Sequence, residues 1–218
     1  MGEGKSAFEL LEIPNNIRDS HWEEQFAKSI KSHYFTIVSD QPIIGPDQWP
    51  YLHIRLNSEP NAEHGHKILN WLNQRGIGLV IDHSANQEYP DLVLSWGAIW
   101  ALTNYGQVQF ESNPLSAAQF EFSWTDVKVA GDPNDQLLPQ YARSIIRVFL
   151  QEQGVFQPRI LCYSFDHKVF EIAFSLESLD SPPESEHQGI LESLAWFFPP
   201  HYPLILLSEK NSPPFFPL

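Results

Sequence analysis

Two stretches, Trp71-Leu72-Asn73-Gln74-Arg75-Gly76 and Phe149-Leu150-Gln151-Glu152-Gln153-Gly154, can be laid over one another, and each reads as the end of a helix. The aromatic-leucine pair is expected to face inward, the polar run to face water, and the glycine to supply the left-handed residue at which helices commonly stop. Beyond the first glycine lie Leu79 to Ile81 and Leu92 to Leu94; beyond the second lie Ile160 to Phe165 and Val169 to Phe174. These short apolar runs read as strand pairs. Upstream, Trp22 to Ser32 reads as a helix ahead of Tyr34 to Val38 and Tyr51 to Leu56, and downstream Ile190 to Phe197 precedes Leu204 to Leu207. The chain is therefore expected to be α+β, with recurring helix-strand-strand units, mostly antiparallel sheets, and helices packed on one face of each. The recurrence raises the hypothesis of an internal duplication, against the plainer reading that the elements simply alternate. A division near the Gly131 to Pro139 loop gives two sheet-helix halves, residues 1–131 and 132–218, with one continuous domain as the alternative.

Composition bounds the function classes. A chain of 218 residues with 42% hydrophobic and 13% aromatic residues is that of a globular protein. At this size about 70% of the unfolded surface is buried without disulfide staples. Cys162 stands alone, which excludes an internal disulfide and any multi-cysteine zinc or iron-sulfur site. No basic region followed by an apolar stretch opens the chain and no Asn-x-Ser/Thr acceptor occurs, so a reducing, cytoplasmic setting is expected. The longest uncharged stretch, Leu92 to Phe110, is interrupted by Ser95, Gly97, Thr103, Asn104 and Gly106, and reads as a buried strand and helix. Net charge is −14, from 27 acids and 13 bases spread through both halves. Phosphate backbones require clustered Lys and Arg, and the densest cluster is Lys28 with Lys31. Nucleic acid and anionic membranes are thus not expected partners.

Several patterns carry possible chemistry, and each has a plainer reading. Gly4-Lys5-Ser6 resembles the end of a phosphate-binding loop, but the residues before it supply neither the earlier glycine nor the strand that such a loop needs. Met1-Gly2 with Ser6 fits the bare myristoylation pattern, which is permissive. His64 and His66 would share a face on a strand and grip a metal there; a helix capped by Asn61 and running to Gln74, with Ile68, Trp71 and Leu72 as its buried stripe, separates them. Asp82-His83 and Asp166-His167 each set a carboxylate beside an imidazole at a strand end. The second reads as a two-residue hairpin loop that pairs Tyr163 with Phe170 and Leu161 with Ile172, leaving Cys162 and Glu171 on the opposite face. A Cys162-His167-Asp166 triad would have to reach around that hairpin. Trp96 and Trp100, four apart, suit core packing on a helix from Trp96 to Tyr105 better than a ligand box, with a strand continued from Leu92 left open. Phe120 to Val129 alternates as a strand should.

Tyr51, His53 and Arg55 alternate with Leu52, Ile54 and Leu56. That places an aromatic ring, an imidazole and a guanidinium on the face away from the core, a candidate protein-binding surface. No catalytic constellation is legible, and no cofactor or metal is expected. The reading that follows is a cytoplasmic, non-enzymatic binding or accessory protein that acts through a sheet face or groove on a protein partner. The alternative is a hydrolase or metal enzyme whose site is assembled from distant loops, for example from Asp82, His83 and Asp166. The charge pattern makes a direct prediction: in gel-shift assays near physiological salt the protein retards neither DNA nor RNA, and tight, salt-sensitive retardation would contradict it.

Overall fold

Ser6, Asp19, His64 and Ser95 each accept a hydrogen bond from a backbone amide of the turn that follows, and each opens a helix: α1 (Ala7–Leu11), α2 (Ser20–Ser32), α3 (Gly65–Asn73) and α4 (Trp96–Tyr105). A side-chain acceptor at this position satisfies an amide that no helical carbonyl can reach. The computed structural model describes residues 5–56, 62–82, 89–108 and 123–218. Asn61, the expected cap of α3, lies outside those residues, and His64 takes the role, its Nδ1 accepting from the His66 amide. The start of α3 is pinned by a close approach. Gly65 N–H donates to His33 O at 2.8 Å, and a Cβ at Gly65 would stand 1.9 Å from Ile30 O. Only glycine lets this turn seat on the end of α2.

Contacts divide the chain into two units, Met1–Phe110 and Glu111–Leu218. The first contains β1 (Tyr34–Ile37), β2 (Ile43–Ile44), β3 (Pro50–Leu56), β4 (Glu63–His64), β5 (Gly78–Asp82) and β6 (Leu92–Leu94). They form one sheet in the order β4-β1-β3-β5-β6, with β2 also beside β3. Leu52, Ile54 and Leu56 alternate onto one face of β3, where they join Phe35, Leu79, Ile81, Leu92 and Leu94 in a single core with Phe26, Ile30, Leu69, Leu72 and Ile99 of the helices. The helices thus cover one face, as the apolar periodicity requires.

The second unit contains β7 (Val129–Gly131), α5 (Gln140–Glu152), β8 (Arg159–Ser164), β9 (Glu171–Ser175), α6 (Glu184–Ala195), β10 (Leu204–Leu207) and β11 (Phe216–Pro217). Its sheet runs β10-β9-β8-β11, with β7 also beside β8. Strand β7, which the sequence division leaves with the first half, therefore belongs to this sheet. The Gly131 to Pro139 loop is tied down by the buried Arg143 of α5, which donates to Asp132 Oδ1 at 2.9 Å, to Leu138 O at 3.2 Å and to Pro133 O.

The fold is α+β and its pairings are mostly antiparallel, as expected, but neither sheet is purely so: β3 runs parallel to β5, and β9 parallel to β10. Each parallel pair is joined by a crossover helix, α3 or α6, which is the connection parallel neighbours need. Both units consequently follow the same path, α2-β1-β3-α3-β5 and α5-β8-β9-α6-β10, with the second strand central in each. This correspondence matches α2 with α5 and α3 with α6, whereas the overlay of Trp71–Gly76 on Phe149–Gly154 matches α3 with α5. The glycines in that overlay do adopt positive φ, 64° at Gly76 and 89° at Gly154. Leu72 and Leu150 are buried, but Trp71 is 38% exposed beneath the Arg75 guanidinium, and Phe149 is half-buried against Phe197.

Two further expectations need correction. In the β8–β9 hairpin Tyr163 stands opposite Glu171 and Cys162 opposite Ile172, one residue out of the expected register. The cause lies in the turn. Asp166 Oδ1 accepts the amides of Lys168 at 2.8 Å and Val169 at 2.9 Å, and His167 sits at φ 62°. This Asx-type loop is longer than a two-residue turn, and a one-residue slip exchanges the faces. Cys162, Ile172 and Phe174 thus share one face, and Leu161, Tyr163 and Ala173 the other, where Tyr163 Oη donates to Glu171 Oε2 at 2.6 Å. The expected strand at Phe120 to Val129 fails at Trp124–Asp126, which is a 3-10 turn capped by Ser123. Phe120 and Phe122 lie outside the described residues. Strand alternation gave way there to a local side-chain to backbone bond, with Trp124 turned edge-on to Tyr163.

Two substitutions test the packing by denaturant titration. Ile172→Ala, at a fully buried position, is expected to cost about 2–5 kcal/mol. Gly65→Ala, which drives a methyl into the Ile30 carbonyl, is expected to cost about 3 kcal/mol or more. Unchanged midpoints for both would mean that these contacts are absent.

Candidate functional site

The crossover through α3 sets the carboxyl ends of β3 and β5 side by side, with Arg55 directly opposite Asp82 and His53 opposite Val80. On the face away from the helices, Asp82 reaches diagonally to His53: Nε2 and Oδ2 are 2.6 Å apart, with the side chains 22% and 13% exposed. The imidazole N–H donating to the carboxylate fixes the ring's orientation and leaves Nδ1 as the free edge. Among the described residues the ring bonds only to Asp82.

Arg55 behaves differently. It is half-buried, and its Nε is shielded from solvent with no hydrogen-bond partner among the described residues. Its register neighbours are Thr36 on β1 and Asp82 on β5, and the Asp82 carboxylate is committed to His53. Leaving such a donor unsatisfied costs about 1–3 kcal/mol.

The expected trio of Tyr51, His53 and Arg55 does lie opposite the core face, but Tyr51 is not available at the surface. It is 5% exposed, because its ring lies across Gly78, its partner on β5. A Cβ at Gly78 would meet that ring at 2.5 Å, and Tyr51 Oη donates to Asp47 Oδ2 at 2.5 Å. The exposed apolar residues on this face are Tyr34, two positions before Thr36, at 56% and Val93, opposite Val80, at 45%. Ile43, opposite Tyr51, is also exposed. The sequence pointed to both His53 and Asp82 but never to their contact, since nothing in either segment shows that β3 and β5 are neighbours.

The remaining candidates resolve into structural roles. Ser6 and Glu9 form a capping box, with the Glu9 amide donating to Ser6 Oγ and the Ser6 amide to Glu9 Oε2 at 2.8 Å, so Gly4-Lys5-Ser6 opens α1. Those bonds, the backbone amide first, hold the Glu9 carboxyl below its usual range. Met1, Gly2 and Gly4 lie outside the described residues, as does His83. His66 Nε2 is 3.1 Å from Asn70 Nδ2, and Tyr34 stands edge-on to His64, so neither imidazole faces the other across a metal. Among the described residues no group of three His, Cys, Asp or Glu side chains is placed to hold a metal ion. Trp96 and Trp100 stack at 6.0 Å on α4 and are fully buried, with Trp96 Nε1 donating to Asn73 O at 2.9 Å.

Cys162, Asp166 and His167 form no triad. Asp166 is spent on the turn, His167 is exposed at its tip, and Cys162 is buried within β8. A polar network missed by sequence reading joins the ends of β8 and β9 to the chain after β10. Ser175 Oγ donates to Glu209, which also pairs with Arg159 at 2.6 Å, while Glu177 accepts the Glu209 amide at 2.9 Å. It is a tie between strands, with every member engaged. Comparison with protein-family models, curated proteins and solved structures yields no match.

Burial, aided by the negative charge of Asp132, pushes the Cys162 thiol up to about 11. The thiol is therefore protonated and shielded at pH 8, and iodoacetamide is expected to label it only after denaturation; prompt labelling of the native protein would contradict the placement. The raised value also stabilises the fold fully below about pH 9, the ordinary thiol value, and that contribution is lost as pH climbs through 11.

Proposed function

We propose that the protein is a non-enzymatic binding or accessory protein that receives a protein partner on the face of its first sheet opposite the helices α1 to α4. The observation that carries this reading is the composition of that face. Exposed Tyr34, Ile43 and Val93 surround a fixed His53–Asp82 pair and Arg55, whose Nε has no hydrogen-bond partner among the described residues, a mixture of aromatic, aliphatic and guanidinium groups suited to recognition. Catalysis has weaker support. An imidazole oriented by a carboxylate is a general-base arrangement, yet no described hydroxyl or thiol bonds to His53. Among the described residues no helix is long and apolar enough to cross a membrane. The lone, buried cysteine supports a reducing compartment as the working location. The acidic net charge supports partners other than nucleic acid, and steering toward a basic partner would weaken as salt is raised.

The test is retention of partners by the tagged full chain in its native cells. Val93→Glu places a charge on the open face, and Asn16→Glu places the same charge at an exposed position of the Asn15–Ile17 turn, outside the sheet. Loss of a specific partner with Val93→Glu and its retention with Asn16→Glu is the expected result. Equal retention by both variants would reject the open face as the binding surface.

A further inference from the structure

The segment that follows β10 in the second unit is built unlike the strands it joins. Pro213, Pro214 and Pro217 leave only Phe215, Phe216 and Leu218 with an amide to donate, so this segment cannot form a full ladder of backbone bonds. Phe216 and Pro217 pair antiparallel with Ile160 and Arg159 of β8, and the Leu218 amide donates to Pro158 O at 3.0 Å. Side chains hold the rest. Leu218 is 2% exposed, and Arg147 Nε on α5 donates to Leu218 O at 2.6 Å. Phe215 and Phe216 pack against the cluster of Leu161, Tyr163 and Ala173, which Trp124 and Phe165 also cover. Trp124 and Phe165 each stand edge-on to Tyr163, with ring centroids 5.6 Å away.

We infer that this seat on the second sheet is a binding site for an extended proline-aromatic segment anchored by a leucine, and that residues 213–218 occupy it as a releasable strap. The class of ligand follows from the segment seated there. Proline presets φ near about −65°, so such a segment is close to its docked shape beforehand and loses little freedom on binding. Its recognition calls for aromatic surface, a donor to a main-chain oxygen and a closed seat for one aliphatic side chain. Trp124 with Tyr163, Arg147 and the surroundings of Leu218 supply these in turn. The turn ahead of the strap is held by bonds of its own. The Ser212 amide donates to Glu209 O at 3.3 Å, Glu209 is fixed by Arg159 and Glu177, and Asn211 sits at φ 61°. The strap can therefore leave its seat while β10 stays paired with β9. While it is seated the site is closed, and the inference is independent of the open face of the first sheet.

Two measurements on the full chain test this. Amide hydrogen exchange followed by NMR reads the strap in the unaltered protein. The Leu218 amide, bonded to Pro158 O, is expected to exchange roughly a hundredfold or more faster than the Ile172 amide, bonded to Pro203 O. Equal protection of the two would make residues 213–218 an integral strand and overturn the inference. The second measurement offers the fluorescein-labelled peptide Ser-Pro-Pro-Phe-Phe-Pro-Leu, the sequence of residues 212–218, to the parent protein, Leu218→Asp and Pro214→Asp. Leu218→Asp sets a carboxylate at the buried anchor and releases the strap, whereas Pro214→Asp sets one at an exposed position and leaves it seated. Saturable polarisation with Leu218→Asp, roughly tenfold or more tighter than with the other two, is expected, because a tethered strap competes at high effective concentration. The same peptide carrying Phe215→Ser and Phe216→Ser should not bind, and equal binding would mean that the aromatic class is wrong. No saturable binding to Leu218→Asp, or equal binding to all three proteins, would overturn the site. Loss of the parent's near-UV circular dichroism in Leu218→Asp would show that the unit cannot stand without its strap, and would overturn it as well.

Discussion

The parallel pairing of β3 with β5 is the constraint on which the first unit depends. An antiparallel neighbour to β3 would arrive by a tight turn, but a parallel one requires the chain to cross the sheet, and α3 makes that crossing. The helix can lie close enough only because Gly65 seats against the Ile30 carbonyl, and the strands only because Gly78 leaves room for the Tyr51 ring. With the crossing fixed, Leu79 and Ile81 complete the core beneath the helices, and Asp82 is delivered to His53 on the other side. One connection therefore sets both the hydrophobic core and the polar pair.

The second unit repeats this path with different surface chemistry. Its face away from Cys162, Ile172 and Phe174 is apolar, and Leu161, Tyr163 and Ala173 are overlaid by Trp124, Val127, Phe165, Phe215 and Phe216 of the same unit. The corresponding face of the first sheet bears His53, Arg55 and Asp82, with Tyr34 and Val93 exposed. The same sheet path thus supports a face closed by its own chain in one case and, among the described residues, a face with exposed aromatic and aliphatic side chains around a polar pair in the other. This contrast, more than any single side chain, supports placing recognition on the first unit.

What could be read from the sequence follows from how local each signal is. Alternation along β3 located its two faces, glycines marked the ends of α3 and α5, and the uncharged Leu92 stretch read as buried, with the helix at Trp96–Tyr105 and a continued strand both open until the fold showed α4. Those features depend on neighbours in the chain. The errors arose where a distant or subtle partner decides. The parallel pairs were invisible because strand order is not written in either strand. The β8–β9 register was missed by one residue because Asp166 builds a longer turn than its position suggested. Tyr51 lies on the face away from the core, as its alternation implies, yet it is buried because the Gly78 surface beneath its ring comes from another strand. His53 and Asp82 were each noticed, but their contact belongs to the crossover and not to either segment.

The claim that β3 and β5 deliver His53 to Asp82 on the open face is tested most directly by a double-mutant cycle. His53→Ala, Asp82→Ala and the double variant are compared with the parent protein by denaturant titration near neutral pH. Residues in direct contact are expected to show a coupling of at least about 0.5 kcal/mol, so that the double variant loses less than the two single variants together. Strict additivity, with coupling no larger than a few tenths of a kcal/mol, would contradict the contact and with it the site that the parallel pairing builds.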